Sequence, residues 1–140
     1  MTLVVIDASV AVKWLIEEVD TNSSLALHGE AFVRIAPDYL ILECTNAVAK
    51  KTKHGDMSKQ QARELVNGLE SLPISLIPSN QIRTAALELA IELKQSIYDC
   101  LYLALAVYNN CQLVTADKNF YKATQKTPFG KHVVELSQLR

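Results

Sequence analysis

A chain of 140 residues, 49% hydrophobic and 21% charged with a net charge of −1, fits one compact domain over residues 1–140 and can bury a real core. That composition excludes a disordered or fibrous chain, and the near-neutral balance at face value argues against nucleic acid as a partner. The longest greasy run, Ile97 to Tyr108, is too short for a membrane span and is broken by Asp99. MTLVVIDASV lacks the basic leader and cleavage site of a signal peptide. Cys44, Cys100 and Cys111 are odd in number and far apart, the pattern of reduced, buried thiols in a cytoplasmic protein.

In chain order, LVVID (Leu3 to Asp7) is a β-branched apolar run that predicts a strand buried on both faces. Ala8 to Glu18 and Ser23 to Val33 read as helices, and Pro37-Asp38 opens a stronger one from Tyr39 to about Lys53. Ser58 to Leu72 is amphipathic, with Ala62, Leu65, Val66 and Leu69 at helical spacing. ISLIP (Ile74 to Pro78) predicts a short strand, and Ser79 an N-cap for a helix reaching about Lys94. The helix Ile97–Tyr108 follows, then strand CQLVTA, a short helix through Phe120 to Thr124, and strand HVVEL. Strands alternating with helices imply a three-layer α/β/α sandwich around a mainly parallel sheet. Such folds bind ligands outside the carboxyl ends of the strands, and Asp7 and Asp117 each follow a strand there.

Two further acids stand in apolar company. Glu43 lies within YLILECTNAVAKK, and Asp99 is the one charged residue of IYDCLYLALAVY. An ionised carboxylate in such surroundings costs several kcal/mol unless compensated. Two of them about 5 Å apart repel by roughly 3 kcal/mol at an effective dielectric near 20. A group of three or four therefore needs a cation or raised pKa values. All-oxygen ligands suit Mg2+ or Mn2+ rather than zinc. A carboxylate cage of this kind hydrolyses phosphodiesters by orienting the phosphate, activating water and stabilising the leaving oxygen. Each acid also has a plainer reading: Asp7 and Asp117 as helix N-caps, and Glu43 as a solvated helix position.

VIDASV, PDYLILECTNAV, YDCLYLALA and LVTADKNF, in this order across nearly the whole chain, resemble the PIN-domain family and in particular its small VapC-like toxin ribonucleases. The resemblance implies an α/β/α fold and an endoribonuclease dependent on Mg2+ or Mn2+, leaving 5′-phosphate and 3′-hydroxyl ends. Its catalytic acids are Asp7, Glu43, Asp99 and Asp117, with Asp7 and Asp99 as metal ligands and Glu43 and Asp117 as further candidates. Ser9, Asn46 and Thr115 match the family's polar helpers. Asn119 stands where some relatives carry another acid, which weakens the case for a second metal. The resemblance also implies an RNA substrate, a cognate antitoxin, a homodimer, and no membrane association. A PIN-domain RNA-processing nuclease without an antitoxin, or a silent PIN-fold binding module, are the alternatives.

With four of the 15 acids drawn into one site, the remaining surface has a basic surplus from its 14 Lys and Arg. Lys50, Lys51, Lys53 and His54, and also Lys118, Lys122 and Lys126, are candidates for phosphate contacts or simply solvated helix faces. Tyr98, Tyr102, Phe120 and Tyr121 offer stacking surfaces for unpaired bases, core packing being the plainer reading. An aspartate-nucleophile phosphatase is disfavoured, because Ser9 stands where that pattern needs a second Asp and no Gly-rich phosphate loop is present.

Overall fold

The computed structural model describes residues 1–16, 27 and 29–139. The apolar run at the N-terminus forms β1 (Thr2–Ile6). The other strands are β2 (Phe32–Pro37), β3 (Ser75–Ile77), β4 (Gln112–Thr115) and β5 (Val133–Glu135). All pair in parallel, in the order β3-β2-β1-β4-β5. Six α-helices flank this sheet among the described residues: α1 (Ala8–Leu15), α2 (Leu40–Lys53), α3 (Lys59–Asn67), α4 (Arg83–Leu93), α5 (Ile97–Tyr108) and α6 (Lys118–Gln125).

The strand order explains where the helices lie. The chain steps outward from β1 to β2 to β3, then crosses back through α4 and α5 to β4 on the other side of β1. Right-handed crossovers running in opposite directions place their helices on opposite faces. Accordingly α1 packs against α2 and α2 against α3, while α5 covers β1, β2 and β4 and carries α4 on its back. Cys100 to Ala106 of α5 are all buried, so this helix is the apolar slab of one face. None of the described helices is long and apolar enough to cross a membrane. The reversal of direction falls between β1 and β4, the switch point outside whose carboxyl ends open α/β sheets bind ligands.

Most predicted elements stand, with two corrections. The helix expected over Ser23 to Val33 ends in strand: Phe32 and Val33 begin β2, and residues 23–26 and 28 lie outside the described residues. The Arg34 guanidinium explains the departure, since it bonds the carbonyls of Leu27 (2.8 Å), Gly29 (2.7 Å) and Pro73 (2.7 Å). It thereby satisfies backbone acceptors that flank the strand. Ser79 does not cap a long helix. It opens a 3-10 turn, Ser79–Gln81, and α4 starts after Ile82 without a side-chain cap. Asp38, just past β2, takes both the Ser79 hydroxyl and its N–H (3.1 Å).

Gly130 shows how tightly α6 abuts the turn before β5. A methyl group there would stand 2.9 Å from Gln125 Cα and 3.0 Å from the Thr124 carbonyl. Both are backbone atoms, so no rotamer relieves the clash. Gly130→Ala is expected to lower stability by about 1–3 kcal/mol, seen as a lower urea midpoint at unchanged slope.

Candidate active site

Asp7 leaves β1 and begins α1, where Oδ1 accepts from the Val10 N–H (3.3 Å) as an N-cap. The same oxygen accepts from the Ser9 hydroxyl at 2.5 Å, and Oδ2 accepts from the Thr115 hydroxyl at 2.6 Å. Both hydroxyls are themselves fixed by the turn that follows β4. The Ala116 N–H donates to Ser9 Oγ (2.9 Å) and the Asp117 N–H to Thr115 Oγ1 (3.0 Å). Asp117 in turn caps α6 by accepting from the Phe120 N–H at 3.0 Å. The switch point is thus stitched by one network in which Ser9 and Thr115 orient Asp7. Burial pushes the Asp7 carboxyl up to about 7; Glu43 adds to the rise, and the Ser9, Thr115 and Val10 donors oppose it. Thr115 is fully buried, which makes its hydroxyl a rigid donor.

The remaining acids arrive from helices on opposite faces. Glu43 sits in the first turn of α2 and Asp99 in the first turn of α5. A helix N-terminus favours an anion, yet both carboxyls lie above their ordinary values. For Glu43 the cause is burial, with Asp99 adding to it and Tyr102 opposing. For Asp99 it is burial and then Asp117. The acids therefore form a chain of electrostatic neighbours: Asp7 to Glu43, Glu43 to Asp99, Asp99 to Asp117. Glu43 Oε1 is buried without a hydrogen-bond partner among the described residues, as is the Tyr102 hydroxyl beside it. That hydroxyl is close enough to ease the carboxyl's ionisation, but the pair falls short of hydrogen-bond geometry. Cys44, flanking Glu43, is held up to about 12 by burial and by the negative Glu43 and Asp7; it is an inert thiol.

Among the described residues, no group of three or more His, Cys, Asp or Glu side chains stands close enough to hold a metal ion. The expected four-carboxylate cage is therefore a series of pairs rather than a closed shell. Its donor chemistry nevertheless fits a hard divalent cation, because every candidate ligand is a carboxylate oxygen. The buried, unpartnered Glu43 Oε1 is an orphan for which a cation is the natural partner.

Beside the acids an open cleft of about 500 Å3 is lined by Ser9, Glu43, Asn46, Lys50, Lys51 and His54, among others. Asn46 lines the same cleft as Ser9 and Glu43. Lys118, Lys122 and Lys126 are exposed along α6, outside this lining.

A family model for the PIN domain matches residues 4–126, a span that includes all four acids. The chain belongs to the PIN domain family. No curated protein sequence matches it, but solved structures do. VapC20 of Mycobacterium tuberculosis, a toxin that cleaves the sarcin–ricin loop, is 13% identical, with a TM-score of 0.65 over 86% of this PIN domain and 95% of that chain. VapBC2 of Rickettsia felis, bound to a DNA fragment from its promoter, is 18% identical, with a TM-score of 0.67 over 96% and 98%. PAE2754 of Pyrobaculum aerophilum is 18% identical, with a TM-score of 0.66 over 97% and 85%. At these identities the likeness is one of fold.

Two tyrosines lie near the acids, and for Tyr102 the plainer reading of core packing holds. Tyr102 is buried beside Glu43 and unavailable to any base; its place three residues after Asp99, on the same helix face, was the available signal. Tyr39, one turn before Glu43, has its phenol raised by burial and by Glu43, Tyr98 and Asp99. A fifth carboxylate, Glu135, ends β5 in register with Thr115. Its Oε2 accepts from the Ser137 N–H and hydroxyl, capping the 3-10 turn Leu136–Gln138.

Proposed function

We propose that this PIN domain is an endoribonuclease dependent on Mg2+ or Mn2+ and acts as the toxin of a toxin–antitoxin pair. The observation that carries the reading is the run of four neighbouring acids at the switch point, three of them with proton affinity raised by the charge of a neighbouring acid as well as by burial. Asp7 and Asp99 are the residues to hold the ion, with Glu43 and Asp117 completing the negative site. A bound divalent ion supplies the charge neutralisation and Lewis acidity that phosphodiester hydrolysis requires. Ser9 and Thr115 hold Asp7 in one rotamer, so its oxygens are aimed before any ligand arrives. Glu43, with its carboxyl held above the ordinary range by burial, is placed at the cleft to accept a proton from water.

The similarity in fold to the VapC20 toxin, to VapBC2, and to a toxin–antitoxin complex of Klebsiella pneumoniae (15% identical, TM-score 0.59 over 95% of this chain and 97% of that one) supports an antitoxin partner. A homodimer in the cytoplasm belongs to the same reading. The direct test is cleavage of total RNA with Mg2+ or Mn2+, abolished by EDTA. An RNA left whole under every divalent ion overturns it.

Thermal melting tests the metal site separately. Binding stabilises the fold by about 2.7 kcal/mol when the ion is at about 100 times its Kd, roughly 8 °C in a chain of this size. Mn2+ is expected to raise Tm accordingly, and EDTA to reverse it. A melting point indifferent to both ions is the result expected of a silent binding module.

A further inference from the structure

Tyr102 is only 2% exposed, and its hydroxyl has no hydrogen-bond partner among the described residues. Taking a hydroxyl out of water without a partner costs free energy, whereas a phenyl ring of the same shape fills the space without that cost. Packing therefore accounts for the ring of Tyr102 and not for its oxygen. A buried polar atom left in this condition calls for a partner that another state of the molecule supplies. Glu43 carries the complementary defect: its Oε1 is buried and without a donor. The residue nevertheless lines the open cleft, so Oε2 is the oxygen left to the cleft.

The two orphans are neighbours, the hydroxyl acting on the carboxyl from just outside hydrogen-bond geometry. Burial and the negative Glu43 and Asp7 push the Tyr102 phenol far above its usual range, which keeps it an O–H donor. Asp7 shows what such a donor does once the bond is made. Its oxygens already accept from the Ser9 hydroxyl (2.5 Å) and the Thr115 hydroxyl (2.6 Å), so its carboxylate is fixed before any ligand arrives. Glu43 has no donor of this kind, and its flexible side chain leaves the carboxyl free to turn. Tyr102 lies one turn after Asp99 on α5. A bond from its hydroxyl to Oε1 therefore ties the acid of α2 to the helix that carries the acid of α5.

We propose that Tyr102 is a positioning residue for the reaction: its hydroxyl donates to Glu43 Oε1 once that carboxylate is engaged at the cleft, and thereby holds Oε2 toward the ligand. The proposal rests on the nuclease reading above and adds a residue to its machinery. Tyr102 touches neither substrate nor ion and acts through Glu43 alone. The bond is charge-assisted, and so stronger than one between neutral groups.

The test is Tyr102→Phe in the full chain, which removes the oxygen and keeps the ring. In EDTA its urea midpoint is expected to equal or exceed that of the parent, because an unpartnered hydroxyl has gone. With RNA and Mg2+ its kcat is expected to fall about 10- to 100-fold at unchanged KM, and the Mn2+-induced rise in Tm to shrink. In a chain already carrying Glu43→Ala, Tyr102→Phe is expected to cost no further activity, the mark of a residue that acts through another. A Tyr102→Phe protein with the kcat and the Mn2+ shift of the parent overturns the proposal. So does an equal loss of kcat in the Glu43→Ala background. A variant that fails to fold, or is less stable in EDTA while its folded fraction cuts at the parent rate, also overturns it, by giving the hydroxyl to the fold alone. A parent chain that cuts no RNA is a separate result, and it removes the nuclease reading itself. The Mn2+ shift then decides the proposal: a smaller shift in Tyr102→Phe supports it, and a shift equal or absent in both overturns it.

Discussion

Asp99→Asn is expected to reduce metal-dependent RNA cleavage roughly a thousandfold, about 4 kcal/mol of transition-state stabilisation, in a protein that still folds. The change is isosteric and sits in the first turn of α5, where Ser96 provides the cap through the Tyr98 N–H (3.0 Å) and is untouched. The lost interaction of the carboxylate with the helix dipole costs about 0.3–1 kcal/mol. Against that, the substitution removes a partly buried charge that faces Asp117. The melting temperature without metal is therefore expected to stay close to that of the parent, and the Mn2+-induced rise in Tm to shrink. Cleavage at the parent rate by a well-folded Asp99→Asn protein removes this residue from the site. Reduced cleavage with an intact Mn2+ shift instead assigns Asp99 to substrate rather than to metal.

The fold was legible wherever burial on both faces left a single-sided reading. Leu3 to Ile6 and Leu113 to Thr115 lie in parallel strands covered by helices on each side, so their apolar runs carry the signal alone. FVRIAP was misread because Arg34 interrupts its hydrophobic pattern. What makes Arg34 tolerable in a strand is a set of three carbonyls, two of them only five and seven residues back and one 39 residues on. Nothing in the local composition announces that arrangement. Ser79 failed for a related reason: its hydroxyl and N–H both donate to Asp38, 41 positions away in the chain, and it lies inside a 3-10 turn rather than at a helix start.

The acids were legible as types and in order, since a carboxylate on a greasy helix or after a buried strand is costly and needs explaining. Capping is observed for both Asp7 and Asp117, and it leaves a second carboxylate oxygen over in each. Each caps its helix through Oδ1. For Asp7, Oδ2 is the oxygen that Thr115 holds; for Asp117, only Oδ1 is engaged by the cap. Whether four carboxylates close around one ion depends on ångström-level side-chain placement, which periodicity does not encode. The pairwise arrangement was accordingly out of its reach. Tyr102 illustrates a different limit: it is a core residue, as its surroundings suggest, and only the docking of α5 near α2 brings its hydroxyl to Glu43.

The second large effect concerns stability without metal. With a carboxyl raised from 3.8 to about 7 in the fold, the native state keeps a proton that the unfolded chain has already released between those two values. Stability therefore falls as pH rises through that window, and above about pH 7 the whole penalty is present. At 1.36 kcal/mol per tenfold change in proton affinity, its ceiling is on the order of 4 kcal/mol. Glu43 and Asp99 are displaced in the same direction and deepen the fall. Asp7→Asn removes the ionisation but not the cap. It leaves one of the two hydroxyl donors, Ser9 or Thr115, facing an amide NH2, a mismatch worth about 1–3 kcal/mol. In EDTA the variant is thus expected to be no more stable than the parent near pH 5, and to overtake it by about 1–3 kcal/mol near pH 8. Divalent ion should reverse the order by stabilising only the parent, which would make Asp7 a residue whose charge costs the fold and serves the ligand. Urea titrations at both pH values, with and without Mn2+, measure the crossing. Parallel pH profiles for the two proteins in EDTA would show that Asp7 is ionised at no cost, and the reading of this carboxylate as an uncompensated charge would fall with them.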